Sequence, residues 1–258
     1  MTPVLETRGL SKSFGAVTAA ADLNVRIADG EVVGVIGANG AGKTTFINMV
    51  TGYLRPSAGE IRLDGDDITG LPPRRVVRRG VRRSFQVSQL FGELTALENM
   101  LIAVSMLGNE GLTWLKPLAT ERFVREATGQ LERFAIAEHV NAAVATLPQG
   151  VRKLLDIAMS TVGAAKLLLL DEPTSGVAVD EKLGLMNTVM GAVRAHGAAC
   201  LFVEHDMEVV ERYAPRVIAF YDGRILADGP AAAVLADAEV RKHVIGAELH
   251  RRGLRERC

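Results

Sequence analysis

The chain of 258 residues has only two cysteines, Cys200 and Cys258, at no metal-ligand spacing. That argues against a cysteine-held metal centre and suits a reduced, cytosolic compartment. It also lacks an excess of charge: 30 Lys and Arg against 30 Asp and Glu give a formal net charge of zero. A general nucleic-acid binder held by bulk electrostatics is thereby disfavoured. No apolar stretch approaches the ~18–20 residues needed to span a bilayer. The start, Met1-Thr2-Pro3-Val4-Leu5-Glu6, has no basic region followed by an apolar one, so it does not read as a signal peptide. Any membrane role is therefore expected to come through a partner. There is no internal repeat, no low-complexity linker and no Asn-Lys-x-Asp motif for reading guanine. What is present is 48% hydrophobic and 23% charged residues. Such a chain can bury a sizeable core, as one large domain or two small ones.

The most informative stretch is Gly37-Ala38-Asn39-Gly40-Ala41-Gly42-Lys43-Thr44. It follows the β-branched run Val32-Val33-Gly34-Val35-Ile36 and leads through Thr45 into Phe46-Ile47-Asn48-Met49-Val50. Strand, glycine loop and helix make the phosphate-binding pattern G-x-x-x-x-G-K-[ST]. Glycines let backbone N–H groups turn inward around a polyphosphate, where a Cβ would obstruct. The helix start adds unpaired donors and the positive end of its dipole. Lys43 is expected to reach the β- and γ-phosphates, and the Thr44 hydroxyl to ligate Mg²⁺.

Around that loop, Val4–Leu10 and Leu23–Ile27 read as strands, with a turn at Ser11–Gly15 and a hairpin-like turn at Asp29-Gly30. Phe14, before the loop, reads equally well as a core aromatic. Glu60–Leu63 is a short strand. Six arginines follow within ten positions, Arg74, Arg75, Arg78, Arg79, Arg82 and Arg83, and their spacing predicts one basic helix face. Ser84–Val87 resumes a strand. From about 87 to 162 the pattern turns helical: from Leu97 to Phe134, interrupted at Asn109-Glu110-Gly111, and again from Gln149 to Thr161. Strands then return at Lys166–Glu172, Ala199–Val203, Val217–Phe220 and Arg224–Leu226, with helices over 180–195 and Asp206–Tyr213. The alternation predicts an α/β fold with a mostly parallel sheet and antiparallel pairing at its strand-rich ends. The tail from Pro230 is Ala-rich and helical.

Four leucines, Leu167 to Leu170, lead into Asp171-Glu172. A carboxylate at the carboxyl end of a parallel strand lies where open α/β sheets bind ligands. Asp171 is expected to hold Mg²⁺ beside Thr44, and Glu172 to accept a proton from an attacking water.

With these elements the chain resembles the ATP-binding cassette (ABC) ATPases, over nearly its whole length. Asp171-Glu172-Pro173-Thr174-Ser175-Gly176 is similar to the family's Walker B strand end and D-loop. The resemblance implies that Gln86, in Ser84-Phe85-Gln86, is the Q-loop glutamine at the Mg²⁺ and water shell. His205, in Val203-Glu204-His205-Asp206-Met207, matches the switch histidine on the γ-phosphate. Phe14 matches the aromatic that stacks on adenine. The signature segment Leu-Ser-Gly-Gly-Gln is altered here to Leu147-Pro148-Gln149-Gly150-Val151, and Ala178 stands where the D-loop usually has aspartate. Val81–Gln86, Leu90–Asn99, the insert with Trp114 and Val203–Met207 resemble ATPases of branched-chain-amino-acid-type importers.

The resemblance implies a single ABC ATPase domain over 1–258. Its α/β core is 1–86 with 163–229, its helical insert 87–162, and its C-terminal tail 230–258. It implies ATP and Mg²⁺ as cofactors, two membrane permease subunits, a second ABC ATPase subunit in a heterodimer, and indirectly a solute-binding protein. No nucleic acid partner is implied. The expected place is peripheral, on the cytoplasmic face of the inner membrane. A low-turnover, nucleotide-gated subunit and a soluble ABC protein outside transport are the alternatives. Leu90 and Phe91, in the segment from Gln86 to Asn99, are expected to help form a groove for a helix of the membrane subunit.

Overall fold

The computed structural model describes residues 2–84, 90–107 and 119–246. Two sheets organise it. The first is antiparallel, from β1 (Leu5–Phe14), β2 (Val17–Ile27), β4 (Ala58–Leu63) and the two-residue β5 (Asp66–Asp67), in the order β2-β1-β4-β5. The second has six strands: β3 (Val32–Gly37), β6 (Val81–Ser84), β7 (Leu167–Asp171), β8 (Ala199–Val203), β9 (Arg216–Tyr221) and β10 (Arg224–Pro230). Their order is β10-β9-β3-β8-β7-β6, parallel from β9 to β6, with β10 antiparallel at the edge.

The parallel strands are buried on both faces, which is why they read as unbroken apolar runs. The four leucines of β7 are all buried, yet they serve two cores. Leu167 and Leu169 join Val33, Val35 and the apolar side of the antiparallel sheet. Leu168 and Leu170 join a second core that reaches the helices on the other side. Alternation with a period of two sends successive side chains to opposite faces. At about 1.5–3 kcal/mol for each fully buried leucine, this strand is a main tie between the layers.

Helix α1 (Lys43–Val50) follows β3 and packs Phe46 and Ile47 into the first core. Gly34 lets helix α7 (Met207–Tyr213) lie close, since a Cβ there would sit 2.8 Å from Ala214 Cβ. Between these elements come α2 (Pro73–Arg78), α3 (Ala96–Leu107), α4 (Glu121–Arg133), α5 (Gln149–Ser160) and α6 (Lys182–His196); α8 (Ala231–Ala236) follows β10. Thr120 caps α4, its hydroxyl oxygen accepting from the Phe123 N–H at 3.3 Å. Ala127, Leu131 and Phe134, on α4 and just beyond it, share the second core with Met100, Val104 and Leu155.

Three local expectations are corrected. The turn is shorter and later than Ser11–Gly15: β1 runs on to Phe14, the chain turns at Gly15 and Ala16, and β2 begins at Val17, well before Leu23. Ser13, Phe14, Val17 and Thr18 are all exposed there, so no apolar alternation marked the pairing. Asp29-Gly30 joins no hairpin, because β2 pairs with β1 while β3 pairs with β8 and β9. The arginines do not share one helix face. Arg74, Arg75 and Arg78 lie on α2 and Arg79 caps it, but Arg82 and Arg83 stand on β6 and are nearly buried.

Candidate functional site

The segment from Gly37 to Gly42 is shaped by close backbone approach. A Cβ on Gly37 would lie 2.6 Å from the Phe220 carbonyl oxygen, and one on Gly42 2.8 Å from that of Ala19. Gly42 is also the residue before α1, with φ of 101°, a left-handed conformation that L side chains rarely adopt. No side chain caps α1, whose N-terminal turn follows directly on the loop. Lys43 is buried, and its ammonium donates to the carbonyls of Gly37 and Ala38.

Asn39, Gly40, Ala41, Gly42, Lys43, Thr44 and Thr45 form one wall of a cavity of about 370 Å³. The other wall is Asp171, Glu172, Val203 and His205, from the carboxyl ends of β7 and β8. A buried ammonium, a helix start with no capping side chain and a loop in which a Cβ would clash fit a bound polyphosphate. A hydroxyl and a carboxylate in the same cavity fit Mg²⁺, which keeps few protein ligands beside phosphates and water.

The acidic side is tightly held. Asp171 Oδ2 accepts from Arg83 Nη2 at 2.8 Å. Glu172 has φ of 50°, sparsely populated for a non-glycine residue, and its N–H donates to the Val203 carbonyl at 3.0 Å. Such a conformation costs of order 1–3 kcal/mol and persists only where the surroundings fix it. Glu172 Oε1 lies 3.2 Å from His205 Nε2, so the two side chains meet across the cavity. Beneath them, Glu204 is buried and accepts from the Thr174 N–H at 2.9 Å, the Thr174 hydroxyl at 2.7 Å and the His205 N–H at 3.1 Å. Burial raises the Glu204 carboxyl above its ordinary value, against the opposing pull of these hydrogen bonds. Lys153 on α5 is buried too, and desolvation lowers its ammonium, opposed first by Asp156 and Glu204 and then by Asp171 and Glu172.

Of the sequence-predicted residues, the structure brings Lys43, Thr44, Thr45, Asp171, Glu172 and His205 to one cavity. Phe14 does not line it; the ring is 53% exposed, with Lys12 Nζ 5.1 Å from its centroid, which excludes the core reading. Gln86 and Trp114 lie outside the described residues. Leu90 is half-buried against the second core, whereas Phe91 is 54% exposed. Pro148 precedes α5 with φ of −54° and ψ of 153°, and the helix is kept from Gln149 onward. Sequence reasoning missed Asn48, Arg83, Lys153 and Glu204. Only Glu204 had a signal, as a charged residue directly after a buried strand.

A family model described as ABC transporter matches residues 20–175. The chain belongs to that family. It is an ATP-binding cassette whose relatives hydrolyse ATP to power transport and work with membrane permease components. It is similar to the high-affinity branched-chain amino acid transport ATP-binding protein BraF of Pseudomonas aeruginosa, 36% identical over 250 residues, 95% of this chain and 98% of that one. The corresponding LivG protein of Escherichia coli is 34% identical over the same shares. Among solved structures, the ADP conformation of an ATP-binding cassette, MJ1267, superposes with a TM-score of 0.84 at 28% identity, covering 94% of this chain and 98% of that one. A nucleotide-free cassette from an ABC transporter gives 0.81 at 29% identity, covering 92% and 97%. Among the described residues of the cassette no helix is long and apolar enough to cross a membrane.

Proposed function

We propose that this cassette is the ATP-hydrolysing subunit of an importer for a branched-chain amino acid or a related small solute. It sits peripherally on the cytoplasmic face of the inner membrane, with two permease subunits, a second ABC ATPase subunit in a heterodimer, and a solute-binding protein that selects the solute. The names of the relatives support the solute class. The single observation that carries the chemistry is the convergence of Lys43, Thr44, Asp171, Glu172 and His205 on one cavity.

In this reading Lys43 and the N–H groups from Gly37 to Thr45 hold the phosphates, and Phe14 stacks on adenine. Thr44, Asp171 and, through water, Gln86 would hold Mg²⁺, which when bound neutralises charge on the phosphates. Glu172 accepts a proton from the attacking water, and His205, held against Glu172, contacts the terminal phosphate. Residues 1–86 and 163–229 act as the nucleotide-binding core, 87–162 as the insert facing the permease, and 230–258 as the tail. The exposed ring of Phe91 supports a docking surface there, while Leu90 packs inward.

The test is Glu172→Gln in the assembled transporter. Hydrolysis should fall about 10²- to 10⁴-fold with ATP binding retained, since only the proton acceptor is lost. Hydrolysis at the parent rate overturns the assignment. The substituted signature segment favours a second reading, a subunit that gates on ATP with little turnover. ATPase rates measured with and without the permease subunits separate the two.

A further inference from the structure

Arginine is rarely buried without a partner, and β6 places two in succession. Successive side chains of a strand point to opposite faces, so the pair has two different jobs. Arg82 donates to backbone carbonyls, those of Val77 and, at 3.4 Å, Val162; it ties α2 to the turn after α5. Arg83 reaches toward the nucleotide cavity instead. Its Nη1 donates to Asn48 Oδ1 at 2.6 Å and its Nη2 to Asp171 Oδ2 at 2.8 Å. The side chains of Arg83 and Asp171 are 10% and 11% exposed, so water screens this pair weakly.

Asn48 lies four residues beyond Thr44 on α1, one turn along the same helix face. The guanidinium therefore bridges the helix that carries Thr44 and the strand end that carries Asp171. We infer that Arg83 is a positioning residue for the metal-holding carboxylate: it fixes Asp171 through Oδ2, so that Oδ1 would be the oxygen left for the cation. The inference rests on the reading of Asp171 as that carboxylate.

Two physical points favour orientation over simple charge balance. A planar fork can satisfy an amide oxygen and a carboxylate at once, whereas an ammonium is a single point charge. Mg²⁺ demands near-ideal octahedral geometry, so a carboxylate free to rotate holds it poorly. A second positive charge nearby opposes the metal, yet hydrogen-bonded partners behind metal ligands generally raise affinity by fixing them. Arg83 also stands three residues before Gln86 in the sequence, so the strand that orients Asp171 leads directly to that glutamine.

The experiment measures binding of a fluorescent ADP to the purified full chain, once with EDTA and once with saturating Mg²⁺. Arg83→Lys keeps the charge and loses the fork. Its metal-free affinity should match the parent, and the tightening produced by Mg²⁺ should shrink about tenfold. Asn48→Ala should shrink it in the same direction by less. Full tightening in Arg83→Lys, or an equal loss with and without metal, makes Arg83 a merely structural residue and overturns the inference. Should Arg83→Lys fail to fold, Asn48→Ala decides: reduced tightening supports the inference and unchanged tightening overturns it. Asp171→Asn is the separate control. If it leaves the Mg²⁺-dependent tightening intact, the reading of Asp171 itself fails, whatever Arg83 does.

Discussion

Two helix starts in this cassette follow glycine-bearing or altered signature segments, and they are built differently. Neither α1 nor α5 has a side-chain cap. At α1 the preceding residue is Gly42 in a left-handed conformation, Lys43 is buried, and a cavity of about 370 Å³ opens in front. At α5 the preceding residue is the exposed Pro148 in an extended conformation, with Gln149 exposed beside it. A helix dipole and a start without a capping side chain are common to both. What differs is a buried ammonium at the first helical position, in front of a concave surface; the buried lysine of α5, Lys153, stands four residues beyond Gln149 and is attracted by Asp156 and Glu204. The comparison teaches that a helix start becomes an anion site through what surrounds it. In the proposed heterodimer a second subunit supplies the opposite wall at the α5 start.

The strongest way to break the contrast is to remove the counter-charge. Lys43→Ala should weaken ATP binding to the isolated chain by about a hundredfold, from two lost charge-assisted contacts at roughly 1.5 kcal/mol each. Equilibrium binding of a fluorescent ATP measures it, and a change below threefold would put α1 on the same footing as α5.

A smaller change sharpens the other side. Pro148 has neither the hydroxyl nor the backbone N–H of a serine. Pro148→Ser should raise ATP turnover of the assembled transporter about tenfold at the site this segment completes, corresponding to about 1.5 kcal/mol for a hydrogen bond to a charged group. Unchanged turnover would mean the α5 start was never limiting.

How much of this was legible in the sequence follows from how local each signal is. The phosphate loop and the strand ending in Asp171-Glu172 announce themselves within a few residues, and both fell where the sequence put them. The two cores did not. Only the register of β7 shows that Leu168 and Leu169 serve opposite layers. Arg82 and Arg83 misled because their spacing from Arg78 and Arg79 imitates a helix face, while Val81 and Ser84 supply too short a strand signal to compete. The Arg83 contact with Asp171 spans 88 residues, and no pattern around either residue predicts it. Phe14 was ambiguous because an aromatic in a strand is as often buried as exposed, and the end of β1 decides for exposure.

The central proposal is that this chain brings the phosphate site built on Lys43 and an altered signature segment to a heterodimer. The most direct measurement disables the phosphate-loop lysine of each ATPase subunit separately in the assembled transporter and compares ATP turnover. In this account the partner's full signature segment completes the site built on Lys43, Glu172 and His205, so Lys43→Ala should cost more turnover than the matching change in the other subunit. Equal losses, or full activity from a homodimer of this chain, would contradict it.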